Sequence, residues 1–203
     1  MACTKLHRGL QDKSQAARAE AVIAELKRLN GLLTEKVEAA RHQPEALAPV
    51  HLAGLVGDLL ALTRYQAPPG VTLRAKIPDD LQCLLPAAGL RQALLNLLLN
   101  AIQVLDGDGQ VTVVARREDG HLLLWVEDEG PGFPEEMLRA GVRPFATGRA
   151  GGTGLGLAMV RRFIRDHDGE LELANREPRG ARATLRLPCS TARADNAENE
   201  SHG

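Results

Sequence analysis

Aromatic residues are scarce in this 203-residue chain. They make up 2% of it, and Trp125 and Tyr65 are the only residues of their types. Its core therefore has to be built mainly from leucine, alanine and valine. Proteins that bind single-stranded nucleic acid stack bases on aromatic side chains, so this composition argues against such a surface. A formal net charge of −1 gives no reason to expect nucleic acid or an anionic membrane as a partner.

Cysteine is scarce as well. The three cysteines, Cys3, Cys83 and Cys189, are far apart in the sequence and odd in number. They form no CxxC pair and no Cys/His spacing typical of a metal site. The sequence therefore supports neither a zinc site nor a disulfide framework, and it favours a reducing compartment.

Long hydrophobic runs are missing too. No stretch approaches the ~20 apolar residues of a membrane span, and the most apolar one, LLNLLLNAI, is interrupted by asparagine. The N-terminus has no apolar signal core. We expect a soluble, cytoplasmic chain, which leaves open that it is one piece of a larger membrane-anchored system.

A narrow apolar stripe marks residues 16–41. It consists of residues three and four positions apart: Val22, Leu26, Leu29, Leu33, Val37 and Ala40. This spacing predicts a bundle or coiled-coil helix that packs on a partner helix; packing on its own domain is the alternative. We predict an N-terminal helical segment over 1–43, a mixed α/β domain over 44–188, and a polar, disordered tail over 189–203.

The pattern after the linker prolines Pro44 and Pro49 alternates between helices and strands. It predicts helices at 51–66, 86–105 and 155–167, strands at 70–78 and 81–86, and hairpins at 110–128 and 169–188. Between the first hairpin and the last helix, EGPGFPEEM is predicted as a loop that leads into a short helix. We expect Gly169 to end the last of these helices in a left-handed conformation. The fold class predicted is α+β.

Five glycines crowd into nine positions of GRAGGTGLGLAMVRRFI, residues 148–164, directly before a predicted helix. Gly152, Gly154 and Gly156 give G-x-G-x-G, which has neither the spacing of a dinucleotide fingerprint nor that of a Walker P-loop. A glycine-rich turn that opens a helix still presents free N–H groups to an anion. A flexible surface loop is the alternative.

Two asparagines stand four residues apart on an otherwise apolar predicted helix. Asn96 and Asn100 share one face of it, and burying two amides without partners is costly. Their carbonyl oxygens suit a hard cation such as Mg²⁺. Hydrogen bonds to neighbouring backbone are the alternative.

An acidic residue ends a predicted apolar strand in WVEDEGPGF. A carboxylate at Asp128 can accept a hydrogen bond from an exocyclic amine, and Gly130 and Gly132 would let a flat base approach the backbone. A plain acidic turn is the alternative.

Taken in order, N-x-x-x-N, D-x-G-x-G and G-x-G-x-G resemble the N, G1 and G2 boxes of the ATP-binding fold shared by histidine kinases, gyrases, Hsp90-type chaperones and mismatch-repair proteins. LRQALLNLLLNAIQ, VEDEGPGF and RPFATGRAGGTGLGLAMVRRFIRDHDGEL resemble the histidine-kinase branch, over about 45–188. The resemblance implies a two-layer α/β sandwich of the Bergerat type, with helices on one face of a mixed sheet. The helix at 16–41 resembles the second helix of a dimerisation hairpin.

The resemblance also implies roles for individual residues. Asn100 would bind a Mg²⁺ ion that bridges the phosphates of ATP, with Asn96 assisting. Asp128 would accept from the adenine amino group, and Gly130 and Gly132 would line the base. Gln103 stands where the family often has a lysine that contacts a phosphate, so the chain departs from the family pattern here.

The glycine-rich segment would form part of a lid over 133–152. Phe145 would anchor the lid and Arg149 would reach the γ-phosphate. The stretch from Gly152 to Gly156 would hinge the lid and bind phosphates through its backbone, at Gly152, Thr153, Gly154, Leu155 and Gly156.

The implied function is that of a two-component sensor histidine kinase. Its catalytic residues, Asn96, Asn100 and Arg149, would transfer the γ-phosphate of ATP to a histidine on a dimerisation domain that serves a response regulator. A homodimer would form through the helix at 16–41. A non-catalytic nucleotide-binding module and a serine kinase resembling anti-sigma factors are the alternatives.

The phosphoacceptor histidine is not apparent in this sequence. None of the six histidines has the context typical of an acceptor, and only His7 precedes the predicted hairpin helix. We therefore expect a chain that binds Mg-ATP without labelling itself and that acts on an acceptor domain.

Overall fold

The computed structural model describes residues 45–141 and 154–190. The chain divides into two units at Pro44/Glu45, and all described residues belong to the second. The predicted helix at 16–41, the tail beyond 190 and most of the predicted lid lie outside the described residues. The predicted domain boundaries therefore stay predictions.

The elements follow one another in the order that the sequence pattern predicts, with one added strand at the start. Their bounds are β1 Ala48–His51, α1 Leu52–Arg64, β2 Gly70–Lys76, β3 Gln82–Leu85, α2 Ala87–Gln103, β4 Asp108–Glu118, β5 His121–Asp128, α3 Glu135–Ala140, α4 Gly156–Arg165, β6 Glu170–Asn175 and β7 Ala181–Pro188. None of the described helices is long and apolar enough to cross a membrane.

A five-stranded mixed sheet forms one layer, in the order β2-β4-β5-β7-β6. β2 and β4 run parallel, and the other neighbours are antiparallel. Alternate residues of β5 are buried, and they join the leucines of α2 in one core; the members on these two elements include Leu122, Leu124, Val126, Leu90, Leu94 and Leu98. The predicted two-layer sandwich, with helices packed on one face of the sheet, is confirmed.

A separate two-stranded sheet stands beside the large one. β3 pairs with β1 and not with β2: Val50 lies opposite Cys83, and Pro49 lies opposite Leu84. The sequence pattern assigned Pro49 to a linker. β1 is only four residues long and contains Pro49, and a proline within a short run argues against reading it as a strand.

The cysteine prediction is wrong for two of the three cysteines. Cys83 on β3 and Cys189 after β7 form a disulfide across 106 residues, and both are buried. Next to it, the Leu84 N–H donates to the Ser190 carbonyl oxygen at 2.9 Å. Spacing rules could not find this pair because the fold alone brings the two strands together. The cysteine count therefore no longer supports a reducing compartment.

The end of α4 also differs from the prediction. Asp168 adopts the left-handed conformation, with φ at 53°, in place of Gly169. Gly169 is needed for another reason, since a Cβ there would lie 2.5 Å from the Arg186 carbonyl oxygen on β7. Aspartate tolerates the left-handed region better than most residues, so Asp168 can adopt it without a glycine. Gly169 is required because the end of α4 lies close to β7.

Candidate functional site

Asn96 lies on α2 with one half of its amide unsatisfied. Its Oδ1 accepts from Gln92 Nε2 at 3.3 Å. Its Nδ2 is buried and has no hydrogen-bond partner among the described residues. A buried donor left unpaired costs about 1–3 kcal/mol. The position therefore suits an acceptor supplied from outside the described part of the chain, such as a ligand oxygen or a water.

Asn100, one turn further along α2, meets the start of α4. A Cβ added to Gly156, the first residue of α4, would lie 3.4 Å from Asn100 Nδ2 and 3.7 Å from Asn100 Oδ1. Within residues 45–141 and 154–190, the Asn100 amide is recorded in no hydrogen bond. The structure thus brings the asparagine segment and the end of the glycine segment together.

Asp128 ends β5 and is 7% exposed. Its Oδ1 accepts from the Gly130 N–H at 2.8 Å and from the Ala181 N–H at 3.3 Å. The bond from Gly130 closes a local turn, which is the alternative that the sequence analysis gave for Asp128. The bond from Ala181 connects the carboxylate to β7. These two bonds orient the carboxylate group.

Gly130 and Gly132 are both required by close approaches of protein atoms. A Cβ at Gly130 would lie 2.9 Å from Asp128 Oδ1 and 2.9 Å from Cγ2 of Val104, the residue that caps α2. Gly132 has φ at +88°, and a Cβ there would lie 2.8 Å from Asn175 Oδ1. The sequence explained these glycines by the approach of a base and did not anticipate these contacts.

The β6–β7 hairpin holds the loop that follows Asp128, and sequence reasoning missed this contact. Arg176 Nη1 donates to the Asp128 carbonyl oxygen at 3.1 Å, and Arg179 Nε donates to the Glu129 carbonyl oxygen at 2.7 Å. A Cβ at Gly180, where φ is +110°, would overlap the Asp128 carbonyl oxygen. The partners are about 50 residues apart, and Gly180 is the only local signal of the contact in the sequence.

The rest of the predicted site is described only in part. Phe145, Arg149, Gly152 and Thr153 lie outside the described residues. Gly154 has φ at +64°, a left-handed conformation that glycine adopts readily. In residues 45–141 and 154–190, no group of three or more His, Cys, Asp or Glu side chains could hold a metal ion.

Comparison with protein families identifies the class of the fold. Residues 86–191 match the family described as histidine kinase-, DNA gyrase B- and HSP90-like ATPases. The match spans more than half of the chain and contains Asn96, Asn100, Asp128 and Gly156. The chain belongs to this family.

Two curated relatives are kinases. The sensor histidine kinase ZraS of Escherichia coli O157:H7 is 35% identical over 179 residues, which cover 87% of this chain and 39% of ZraS. Sporulation kinase B of Bacillus subtilis (strain 168) is 28% identical over 181 residues, which cover 88% of this chain and 42% of that kinase. The chain spans well under half the length of these two relatives.

Solved structures with this fold include histidine kinase catalytic domains. The catalytic domain of histidine kinase ThkA superimposes with a TM-score of 0.65 at 25% identity, over 70% of this chain and 95% of that chain. Full-length ShkA in complex with AMPPNP gives a TM-score of 0.68 at 27% identity, over 82% of this chain and 37% of ShkA.

Proposed function

We propose that the described unit is the ATP-binding catalytic domain of a sensor histidine kinase. It transfers the γ-phosphate of ATP to a histidine on a dimerisation domain. One observation carries the proposal: α2 carries the unpaired Nδ2 of Asn96 and, one turn on, places the amide of Asn100 beside Gly156, while its C-terminal cap packs against Gly130. Three segments far apart in sequence thereby line one region.

Asp128 recognises the adenine base in this proposal. Two backbone N–H groups hold its Oδ1, so the carboxylate is oriented before a ligand arrives. An ionised carboxylate only accepts hydrogen bonds, which matches the amino group of adenine and not the carbonyl group of guanine. Gly130 and Gly132 keep side chains away from the base.

The asparagines fit a magnesium ion and the phosphates. Asn100 offers an amide oxygen that is recorded in no hydrogen bond in the described ranges, and amide oxygens suit a hard cation. Mg²⁺ bound there supplies charge neutralisation at the phosphates. The unpaired Asn96 Nδ2 suits an oxygen of a phosphate or of a bound water.

The lid completes the proposed site. Phe145 anchors it, Arg149 reaches the γ-phosphate, and the stretch from Gly152 to Gly156 binds phosphates through its backbone N–H groups. Phosphoryl transfer depends mainly on positioning and charge stabilisation, so these residues act by orienting the γ-phosphate.

The proposed partners are a histidine-bearing dimerisation domain, its response regulator, and a second copy of the chain that pairs through the helix at 16–41. We place the domain in the cytoplasm, where ATP is abundant, as part of a membrane-associated sensor or of a free one.

A transfer assay tests the proposed function. The chain is incubated with γ-labelled ATP, Mg²⁺ and a purified histidine-containing dimerisation hairpin supplied in trans, and labelled residues are mapped. Acid-labile label on the hairpin histidine is expected, and it should disappear with Asn100→Ala. Acid-stable label would identify a serine kinase. ATP binding without transfer would identify a non-catalytic module.

The same assay without the hairpin tests whether the chain supplies its own acceptor. We expect only traces of label on the chain. Robust acid-labile label on His7 would show that the chain carries its acceptor.

A further inference from the structure

Asn175, the last residue of β6, pairs with both polar backbone groups of Phe133. Its Oδ1 accepts from the Phe133 N–H at 2.6 Å, and its Nδ2 donates to the Phe133 carbonyl oxygen at 3.0 Å. Only one orientation of the amide satisfies both bonds, because the oxygen accepts and the nitrogen donates. The Asn175 side chain thus makes the two hydrogen bonds that the backbone of a neighbouring strand would make to Phe133, a residue 42 positions away.

The Asn175 amide also shapes the loop beside it. Gly132 lies directly against the amide and has φ at +88°. The loop from Asp128 to Phe133 is therefore held at both ends: Arg176 holds the Asp128 carbonyl group, and Asn175 holds Phe133. The hairpin turn that carries these groups is closed by the Arg176 N–H, which donates to the Gly180 carbonyl oxygen at 2.9 Å.

We propose that Asn175 is a positioning residue for nucleotide binding, an inference that rests on the proposed function. By fixing Phe133 relative to Asp128, it holds the loop in the conformation that accepts the base. Asn175 does this without touching the nucleotide. If the loop is ordered before the nucleotide arrives, the free-energy cost of ordering it does not reduce the binding free energy, so the affinity for the nucleotide is higher.

The exposure of the Asn175 side chain distinguishes a role in nucleotide binding from a role in the stability of the whole fold. Asn175 is exposed, so water can replace its amide at Phe133 when the side chain is removed. We therefore expect the ligand-free domain to keep its fold in Asn175→Ala, with a fall in melting temperature of a few degrees at most. The loss should appear in nucleotide binding, because the loop must then be ordered by the ligand.

A graded series of variants tests the proposal by calorimetric titration with ATP. Asn175→Ala removes both bonds and should raise the Kd for ATP about tenfold. Asn175→Ser retains a hydroxyl that can make one bond, and its Kd should lie between those of the alanine variant and the unmodified chain. Asn175→Asp keeps the acceptor but sets a carboxylate oxygen against the Phe133 carbonyl oxygen, so its Kd should rise at least as far as that of the alanine variant.

Glu172→Ala is the matched control, since Glu172 is exposed on the same strand and, among the described residues, makes no hydrogen bond to the loop at 128–133. Its Kd for ATP should equal that of the unmodified chain. In the transfer assay, Asn175→Ala should raise KM for ATP and leave kcat unchanged, whereas partial unfolding would lower kcat.

Two results would overturn the proposal, and only one of them would also overturn the proposed function. If the unmodified chain binds ATP and Asn175→Ala binds it equally well, Asn175 has no positioning role although the proposed function stands. If the unmodified chain does not bind ATP at all, the proposed function fails and this inference fails with it. Should the alanine variant not fold, the Kd of Asn175→Ser decides by the same criterion.

Discussion

Asn100 on α2 and Gly156 at the start of α4 face each other so closely that a Cβ on Gly156 would lie 3.4 Å from the Asn100 amide nitrogen. That distance is an ordinary contact, so the fold would tolerate a small side chain there. The same side chain would cover the Asn100 amide. The glycine therefore keeps the amide accessible at the point where the two helices meet.

Valine at the glycines of this segment should abolish ATP binding while the fold persists. Gly156→Val places a branched side chain against Asn100, and Gly154→Val forces a β-branched residue to a φ of +64°. A bound ligand raises the melting temperature, so ATP should stabilise the unmodified chain and neither variant. If ATP raises the melting temperature of both variants as much as that of the unmodified chain, Gly154 and Gly156 are needed only for the backbone turn before α4.

Asn100→Ala should abolish Mg²⁺-dependent transfer but leave the adenine contact at Asp128 in place. Nucleotide affinity measured in EDTA should therefore change little. The measurement is a pair of ATP titrations, with Mg²⁺ and with EDTA, for both proteins. Unchanged Mg²⁺-dependent binding and transfer in the variant would show that Asn100 is only structural.

Gly180→Ala should destabilise the domain more than Gly120→Ala. Both glycines have positive φ, at +110° and +73°, and the left-handed region costs a non-glycine residue about 1–2 kcal/mol. Gly120 has open space around a Cβ, whereas at Gly180 the Cβ would overlap the Asp128 carbonyl oxygen. Urea unfolding should give Gly180→Ala a loss larger by at least about 1 kcal/mol. Equal losses would contradict the contact between the hairpin and Asp128.

Reduction should destabilise the domain through the Cys83–Cys189 disulfide. A bond that closes a loop of about 100 residues contributes up to about 4–5 kcal/mol in the chain-entropy model, and this one spans 106 residues. Dithiothreitol and Cys83→Ser should each lower the melting temperature, and Cys3→Ser should not. Three reactive thiols in the unreduced, denatured protein would show that the bond does not form.

Local signals predicted most of the secondary structure. The pattern of residues 110–128 predicted a β-hairpin whose second strand ends at Asp128, and β5 does end there. The EDG turn formed as predicted, with positive φ at Asp119 and Gly120, the conformation typical of two-residue hairpin turns. Asn96 and Asn100 could be proposed from the sequence because two amides on an apolar helix are locally anomalous.

The remaining contacts depend on partners far apart in the chain. Nothing near Asn175 indicates that its amide pairs with Phe133, and nothing near Cys83 indicates Cys189 as its partner. Gly169 illustrates a related difficulty: its position after a helix favoured a left-handed cap, while its contact with Arg186 comes only from the packing of α4 on β7. Local sequence fixes neither kind of contact.

The comparison of ATP and GTP affinity tests the adenine-nucleotide site at Asp128 most directly. Titration of the unmodified chain should give a Kd for ATP at least about tenfold below that for GTP, because guanine leaves the carboxylate facing a carbonyl group. Asp128→Asn supplies a donor as well as an acceptor and should reduce this preference. Equal binding of ATP and GTP by the unmodified chain would contradict the site.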